Sequence, residues 1–286
     1  MYSKIVAILK LTRIEHSIML IVAVLAAEII AKGLPSYPVL ALSIITPIFI
    51  SMASFAINDY FDIEVDKANG KKNRPLVNGS LKPKDAVAVT VASLAIGFGA
   101  SYFINIYCFA IAIAFGLLAV LYAYMLKEKL LVGNMYVAFS MAIPFVFGNY
   151  VVSNTFGISI ILISTLIFFS GLAREIQGTI RDLKGDMLAR NAKTLPKVIG
   201  ITKSAIISLV FYLLSIAISL YLFVAVEPFR YNIAYITLIS ITDIILVYIG
   251  IGYIRKRDGK FYALARNASL AAMSLALFAI LIAPLI

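Results

Sequence analysis

The sequence predicts an all-α polytopic membrane protein, a bundle of nine transmembrane helices in one domain over residues 1–286. The first reason is composition, because 62% of the residues are hydrophobic and the mean hydropathy is +1.00, well outside the range of soluble domains. The second reason is that residues 86–126 and 130–173 contain no Asp, Glu, Lys or Arg. Each of these runs is long enough for two spans of about 20 residues.

The nine predicted spans follow from applying this length criterion along the chain. The first apolar segment resembles a signal peptide, but it has no convincing small-residue cleavage site and eight further spans follow it, so we assign it as the first helix. Each of the two charge-free runs divides into a pair of spans, and three more apolar segments follow the basic stretch after the second run. The predicted spans are 15–31, 38–58, 86–104, 106–126, 131–152, 157–176, 202–225, 232–253 and 267–285.

The basic residues predict the orientation of these spans. The N-terminal segment and alternate loops hold 23 of the 25 Lys and Arg residues, and only Lys32 and Arg230 fall on the opposite side. The positive-inside rule therefore predicts a cytoplasmic N-terminus and a C-terminus outside. The net charge of +11 is then concentrated on one face, where it attracts anionic lipid or binds a polyanion. Nucleic acid is not expected as a partner, because the bases lie in short membrane loops without a recognition motif.

Two stretches of acidic residues stand at the ends of predicted spans. In the stretch NDYFDIEVD, a helix at about 100° per residue places Asn58, Asp59, Asp62 and Asp66 on one face and Glu64 on the other. Carboxylates spaced three or four residues apart repel each other, so a cation is expected there. After the sixth span, Glu175, Asp182 and Asp186 form a second stripe.

Both stripes end a cytoplasm-facing span, and each precedes a loop rich in Lys and Arg. One interpretation is that they are ordinary solvated helix ends. The other is a site for Mg²⁺ and a phosphate-bearing ligand, because hard oxygen ligands hold Mg²⁺ and the ion bridges to phosphate. Two stripes at matching depth favour the second interpretation.

The residues of both stripes resemble the signatures of the UbiA-type intramembrane prenyltransferases. NDYFDIEVD matches the pattern NDxxDxxxD, and RDLKGD with KTLP matches the second, DxxxD, signature. The resemblance implies nine helices around a central cavity, capped by the two acidic loops, in which Mg²⁺ holds a prenyl diphosphate. Its implied metal ligands are Asn58, Asp59, Asp62, Asp66, Asp182 and Asp186, of which Asp62, Asp66, Asp182 and Asp186 are the implied catalytic residues.

The resemblance also implies residues that bind substrate. The loop NGKKNRPLVNG resembles the family's basic diphosphate-binding loop and assigns Arg74, and YAYMLK resembles its cap and assigns Tyr124 and Lys127. Breaking the allylic carbon–oxygen bond leaves a carbocation and a diphosphate anion, and bases together with Mg²⁺ stabilise the anion. Three further residues are predicted to bind the prenyl diphosphate: Asn58, Lys184 and Lys193. Arg13 and His16, at the cytoplasmic end of the first span, are predicted to bind a phosphate of the acceptor.

The identity of the acceptor is less constrained. Two stretches, RPLVNGSLKP and the residues around the second signature, resemble those of archaeal members of the family. These members transfer a geranylgeranyl group from its diphosphate to geranylgeranylglyceryl phosphate, a step of ether-lipid synthesis. This chain has Gly178 where those enzymes often carry an extra acid, so either the site has one metal ligand fewer or Glu175 substitutes for that acid. The alternatives are an aromatic acceptor of a quinone or haem-tail pathway and, in another class, an ion or metal transporter, although transporter acids usually lie near the membrane midplane.

Overall fold

The computed structural model of the protein describes residues 2–189, 194–256 and 258–286, and gives only the backbone for residues 2–3 and 184–189. Over these residues the chain is helical, as the sequence predicts. Three short 3₁₀ turns cover Ile14–His16, Leu126–Glu128 and Ala283–Leu285. The α-helices are α1 Tyr2–Thr12, α2 Ser17–Ala31, α3 Tyr37–Phe61, α4 Ile63–Ala68, α5 Pro83–Tyr102, α6 Ile106–Tyr124, α7 Val132–Val152, α8 Ile158–Ala189, α9 Leu195–Ile199, α10 Ile201–Ala225, α11 Ile233–Arg255 and α12 Gly259–Ile282.

Nine helical segments in the described part of the chain are long and apolar enough to cross a membrane, which confirms the predicted architecture. Most boundaries agree with the sequence to within three residues. The sixth helix is longer than predicted and continues to Ala189, and the last begins at Gly259 instead of residue 267. Its early start has a local cause: the Asp258 side chain caps the helix by accepting a hydrogen bond from the Phe261 N–H at 2.7 Å. Hydropathy does not detect such a cap.

Helix α1 is an amphipathic helix that precedes the first span. Its Ala7 and Leu11 are buried in a small core with Ala56 of α3 and Leu81 of the loop before α5. Ile5 and Leu9 are exposed on its other face. The sequence predicts only a basic N-terminal segment here, because an 11-residue helix is too short to count as a span.

The first acidic motif lies where α3 passes into α4. The predicted helix over residues 58–66 is interrupted at Asp62, whose backbone has φ −92° and ψ 0°. The hydrogen-bond ladder nevertheless continues, since the N–H of Asp66 donates to the Asp62 carbonyl at 2.8 Å. The motif residues therefore keep the helical spacing on which the predicted common face depends.

Two hydrophobic clusters hold the long helices together. One contains Phe145 and Tyr235, and the other, nearer the second acidic motif, contains Ile176, Tyr212 and Leu246. One buried polar pair joins two helices of the bundle: the Ser219 hydroxyl donates to Asp243 at 2.8 Å, which gives that intramembrane acid the polar partner that its cost in lipid demands. These contacts fix α8 against α10, α11 and α12.

Candidate active site

Asp59, the first aspartate of the NDYFDIEVD motif, is buried between two arginines. Only 3% of its side chain is exposed. Arg74 donates to both of its carboxylate oxygens at 2.7 and 2.8 Å, and Arg13 donates to Oδ1 at 2.8 Å. Charge-assisted contacts of this kind are the strongest hydrogen bonds that proteins make. Asp59 thus joins the loop before α5 to the turn between α1 and α2.

Asp62 is held by a base from a third segment of the chain. Lys127, in the turn after α6, donates from Nζ to Oδ1 at 2.6 Å, and Asn58 donates from Nδ2 to Oδ2 at 3.0 Å. The Lys127 side chain is only 9% exposed, so the pair is largely shielded from water and less screened than a surface pair. The structure therefore brings Asn58 and Lys127 to Asp62, two residues that the family resemblance had singled out.

Asp66 completes the first cluster. Lys71 donates to its Oδ1 at 2.8 Å, and Arg74 Nε lies 3.7 Å from its Oδ2. Arg74 therefore contacts both Asp59 and Asp66, as the predicted common face requires. Glu64 points away, with 84% of its side chain exposed and a surface pair to Lys67. We call Asp59, Asp62, Asp66 and their bases Arg13, Lys71, Arg74 and Lys127 the first cluster.

The backbone turns that deliver these bases are specific. Arg13 itself has φ 47° and ψ 51°, a left-handed conformation that costs a residue with a Cβ about 1–2 kcal/mol. In the basic loop, Gly70 and Gly79 have φ 65° and 79°, values that glycine adopts without strain. Burial lowers the pKa of the Arg13 guanidinium, with the Asp59 carboxylate opposing the shift. Because an arginine starts from a pKa above 12, Arg13 keeps its charge.

The second acidic motif has a more open environment. Arg181 forms a two-point contact with Asp182, its neighbour in sequence, at 2.8 and 2.6 Å. The Asp182 side chain is 53% exposed. Both residues line a pocket of about 270 Å³ between α8, α11 and α12. We call it the α8–α12 pocket, and it is lined by Arg174, Glu175, Gln177, Gly178, Thr179, Arg181, Asp182, Tyr253, Ala265, Arg266 and Ser269.

The remaining predicted residues fall into three groups. His16 lies on Phe55, with ring centroids 5.5 Å apart, within electrostatic range of both Arg13 and Arg174. Tyr124 is exposed and packs against the Phe61 ring at the end of α3. Three predicted groups lie outside the described residues: the side chains of Lys184 and Asp186, and the whole of Lys193.

The sequence predicts that the first motif needs a cation to offset repulsion between its aspartates. The structure supplies that cation from the protein, since each of the three aspartates contacts a Lys or Arg. Among the described residues, no three His, Cys, Asp or Glu side chains come close enough together to form a ready-made metal site. The donors still fit Mg²⁺, which prefers carboxylate oxygens and usually shares its coordination with substrate phosphate.

The sequence assigns no site role to four basic residues of these sites. Lys71 counts only as part of a basic loop, and Arg174, Arg181 and Arg266 count only toward the topology. A signal for Arg174 exists, because it is the first charge after the run 130–173 and so lies deep for a surface residue. Arg266 had no comparable signal, since its role depends on the packing of α12 against α8.

A nine-span helix bundle with two aspartate motifs surrounded by bases at one end is the architecture of an intramembrane prenyltransferase. The chain belongs to the UbiA prenyltransferase family, whose model matches residues 19–270.

Three curated relatives share the name digeranylgeranylglyceryl phosphate synthase. The relative from Archaeoglobus fulgidus is 34% identical over 95% of this chain and 92% of its own length. That from Sulfurisphaera tokodaii is 35% identical over 84% and 85% of the two chains, and that from Thermococcus kodakarensis is 32% identical over 98% of each.

Solved structures show the same fold. One, described as giving insights into digeranylgeranylglyceryl phosphate synthase in membranes, has a TM-score of 0.80 and 25% identity over 98% of both chains. A UbiA homologue from Archaeoglobus fulgidus, solved with GPP and Mg²⁺ bound, has a TM-score of 0.67 and 18% identity, and covers 96% of this chain and 99% of its own.

Proposed function

We propose that this protein transfers a geranylgeranyl group from geranylgeranyl diphosphate to geranylgeranylglyceryl phosphate, in a Mg²⁺-dependent step of archaeal ether-lipid synthesis. The relatives named as synthases of the product support this proposal, since they match nearly the whole chain at 32–34% identity. The observation that carries it in the structure is the first cluster, in which three aspartates and four bases lie at one end of an apolar bundle.

The first cluster suits a metal-bound diphosphate because its ion pairs can exchange partners. In the structure each carboxylate is neutralised by a base, so neither partner is buried unpaired, which would be costly. A Mg²⁺ diphosphate carries both a cation and an anion, so it could replace both partners of each ion pair. The aspartates and Asn58 would hold the cation, while phosphate oxygens would be bound by Arg13, Arg74, Lys71 and Lys127. Every charge in the site would then have a partner both with and without the ligand.

The reaction requires stabilisation of the leaving group. The bond between the allylic C1 and the diphosphate oxygen breaks, the hydroxyl oxygen of the acceptor forms a bond to C1, and the hydroxyl proton is released, so the products are an ether, diphosphate and a proton. Bound Mg²⁺ supplies charge neutralisation at the leaving oxygens. Arg74 and Lys127, already fixed by Asp59 and Asp62, would act as preorganised donors to the same anion.

The sequence assigned Arg13 to the acceptor, and the structure suggests a different role. Its guanidinium contacts Asp59, as Arg74 does. We therefore assign Arg13 to the donor diphosphate and keep His16, which packs on Phe55, as a residue on the acceptor side. An apolar bundle around the prenyl chain would exclude the water that would otherwise capture the carbocation.

The test is a direct comparison of three acceptors with one radiolabelled donor. Purified protein with Mg²⁺ and labelled geranylgeranyl diphosphate is expected to label geranylgeranylglyceryl phosphate faster than 4-hydroxybenzoate or dihydroxynaphthoate. Faster transfer to either aromatic compound would favour the quinone branch of the family instead. An absence of transfer to all three acceptors, together with Mg²⁺ uptake into proteoliposomes, would favour a transporter.

The proposed orientation places the N-terminus and both acidic motifs in the cytoplasm and the C-terminus outside. The distribution of Lys and Arg supports it. Cysteines introduced at the exposed positions Asn73 and Asn154 should react with membrane-impermeant thiol reagents from opposite sides, Asn73→Cys from the cytoplasm and Asn154→Cys from outside. The native Cys108 is buried and should not compete. Labelling of both variants from one side would exclude the orientation.

A further inference from the structure

Helix α1 has two apolar faces, and the bundle covers only one of them. At about 100° per residue, Ala7 and Leu11 fall on one side of the helix, where they are buried in the small core described above. Ile5 and Leu9 fall on the opposite side and are 53% and 42% exposed. We call the side that carries Ile5 and Leu9 the outer face of α1, and the described part of the chain leaves it uncovered.

Helix α1 lies at the boundary of the membrane. It ends at Thr12, and the first span begins at Ile14, so the two ends are at most about 7 Å apart. The left-handed conformation of Arg13 interrupts the helix between them, and α1 is therefore not an extension of the span. Its 11 residues cover only about 16 Å, about half the thickness of the hydrocarbon core.

The inner face of α1 shows where it sits on the bundle. It packs on Ala56 near the end of α3 and on Ala86 in the first turn of α5. Lys4 Nζ lies 3.1 Å from Asp85 Oδ1, also in the first turn of α5. Val87, the next residue of that span, is 39% exposed, so apolar surface that faces lipid begins beside α1.

The charges of α1 suit a lipid surface. Lys10 is exposed and lies at the border of the outer face, about 100° around the helix from Leu9. A lysine in such a place can lay its apolar stem along the face and reach lipid phosphates with its ammonium group. A helix with an apolar face and flanking bases is typical of segments that lie in the membrane interface.

We propose that the outer face of α1 is a lipid-binding surface, embedded in the membrane interface at the end of the bundle that holds the first cluster. A second protein fits this face less well, because stable protein interfaces use about 20–30 residues from each partner and α1 has only 11. Lipid already surrounds the neighbouring spans and needs no such area.

This contact with lipid also acts on the first cluster. Leu11 on the inner face shares its core with Leu76 and Leu81 of the basic loop. Arg13, which donates to Asp59 at 2.8 Å, follows α1 directly in the chain. Lipid that holds the outer face therefore presses α1 onto the basic loop and keeps Arg13 against Asp59. In this way the membrane surface helps to order the site.

The first experiment measures which solvent reaches the outer face of the full-length protein in phosphatidylcholine and phosphatidylglycerol vesicles. A nitrobenzoxadiazole label is attached to Leu9→Cys, and the native Cys108 is buried and should not react. Lipids brominated in the acyl chain should quench this label strongly, and aqueous iodide should quench it weakly. The matched control is Glu64→Cys at the same end of the bundle, where the side chain is exposed and the label should show the reverse pattern.

Two results of this experiment would overturn the proposal. Iodide quenching as strong at position 9 as at position 64 would place the outer face in water. Quenching by neither agent would mean that protein covers the face, as in contact with a second copy of the chain. Neither result depends on which reaction the protein catalyses, so the proposed function is tested separately.

The second experiment measures the hold on the basic loop by hydrogen exchange. Leu9→Glu places a charge in the lipid without removing a contact of the small core. Backbone amides of residues 70–81 should then exchange at least about 5-fold faster, the lower end of typical coupling between two sites. Residues 226–232, at the opposite end of the bundle, should keep the wild-type rate, as should the whole of Leu9→Met. Unchanged exchange in Leu9→Glu would overturn the action of lipid on the site.

Discussion

The two acidic motifs are similar in sequence and differ in the environment that the fold gives them. Asp59 and Asp66 of the first motif are nearly inaccessible and are held by bases from the N-terminal turn and the basic loop. Asp182 of the second motif is half exposed and contacts the residue before it. The comparison teaches that an aspartate pattern specifies ligand chemistry, whereas the distant segments that fold over it decide whether the site is rigid or open.

The largest effect should come from removing the aspartates themselves. Asp62→Ala, Asp66→Ala, Asp182→Ala and Asp186→Ala are each expected to lower kcat about 100-fold or more, because each removes charge stabilisation at the leaving diphosphate. Chelation of Mg²⁺ by excess EDTA should abolish turnover in the wild type. Steady-state assays with a check of folding measure these effects, and full wild-type activity in EDTA would remove the metal from the proposed mechanism.

A smaller effect is expected on the free energy of unfolding, in which substitutions at the two motifs should differ. Arg74→Ala leaves the buried Asp59 with only Arg13. We expect a loss of about 2 kcal/mol in the free energy of unfolding, less than the roughly 3–5 kcal/mol seen when a buried charge loses its only partner. Denaturation in detergent measures it. Stability equal to that of the wild type would mean that the first cluster is not rigidly preorganised.

The equivalent substitution in the second motif should cost less. Arg181→Ala removes the only described partner of Asp182, but 53% of that carboxylate is exposed to solvent, so water can replace the arginine. A loss below about 1 kcal/mol in the same denaturation measurement is therefore expected. A loss as large as that of Arg74→Ala would show that the two motifs are equally constrained and would contradict the comparison.

The smallest effect is expected at Glu64, which lies inside the first motif but faces away from it. Its pair with Lys67 is at the surface, with 84% of the Glu64 side chain exposed. Glu64→Ala should change the free energy of unfolding by no more than about 0.5 kcal/mol and leave turnover near the wild-type value. An inactive Glu64→Ala variant would mean that the orientation of the motif is misassigned.

The sequence alone determined where the membrane spans lie and which motif residues share a face. Both follow from local properties: a span requires a run of apolar residues, and a helix repeats every 3.6 residues. The helical period is therefore sufficient to separate Glu64 from Asp59, Asp62 and Asp66. Local patterns failed where capping mattered, as at Asp258, whose side chain starts α12 eight residues before the predicted boundary.

Only the tertiary structure decided which bases meet which acids. Lys127 is 65 residues from Asp62 in the chain, and Arg13 is 46 residues from Asp59. The three arginines of the α8–α12 pocket lie on two helices separated by two other spans. No periodicity in the sequence encodes such pairs, because they depend on how whole helices pack against each other. The sequence therefore shows which acids and bases are present, but only the fold shows which of them pair.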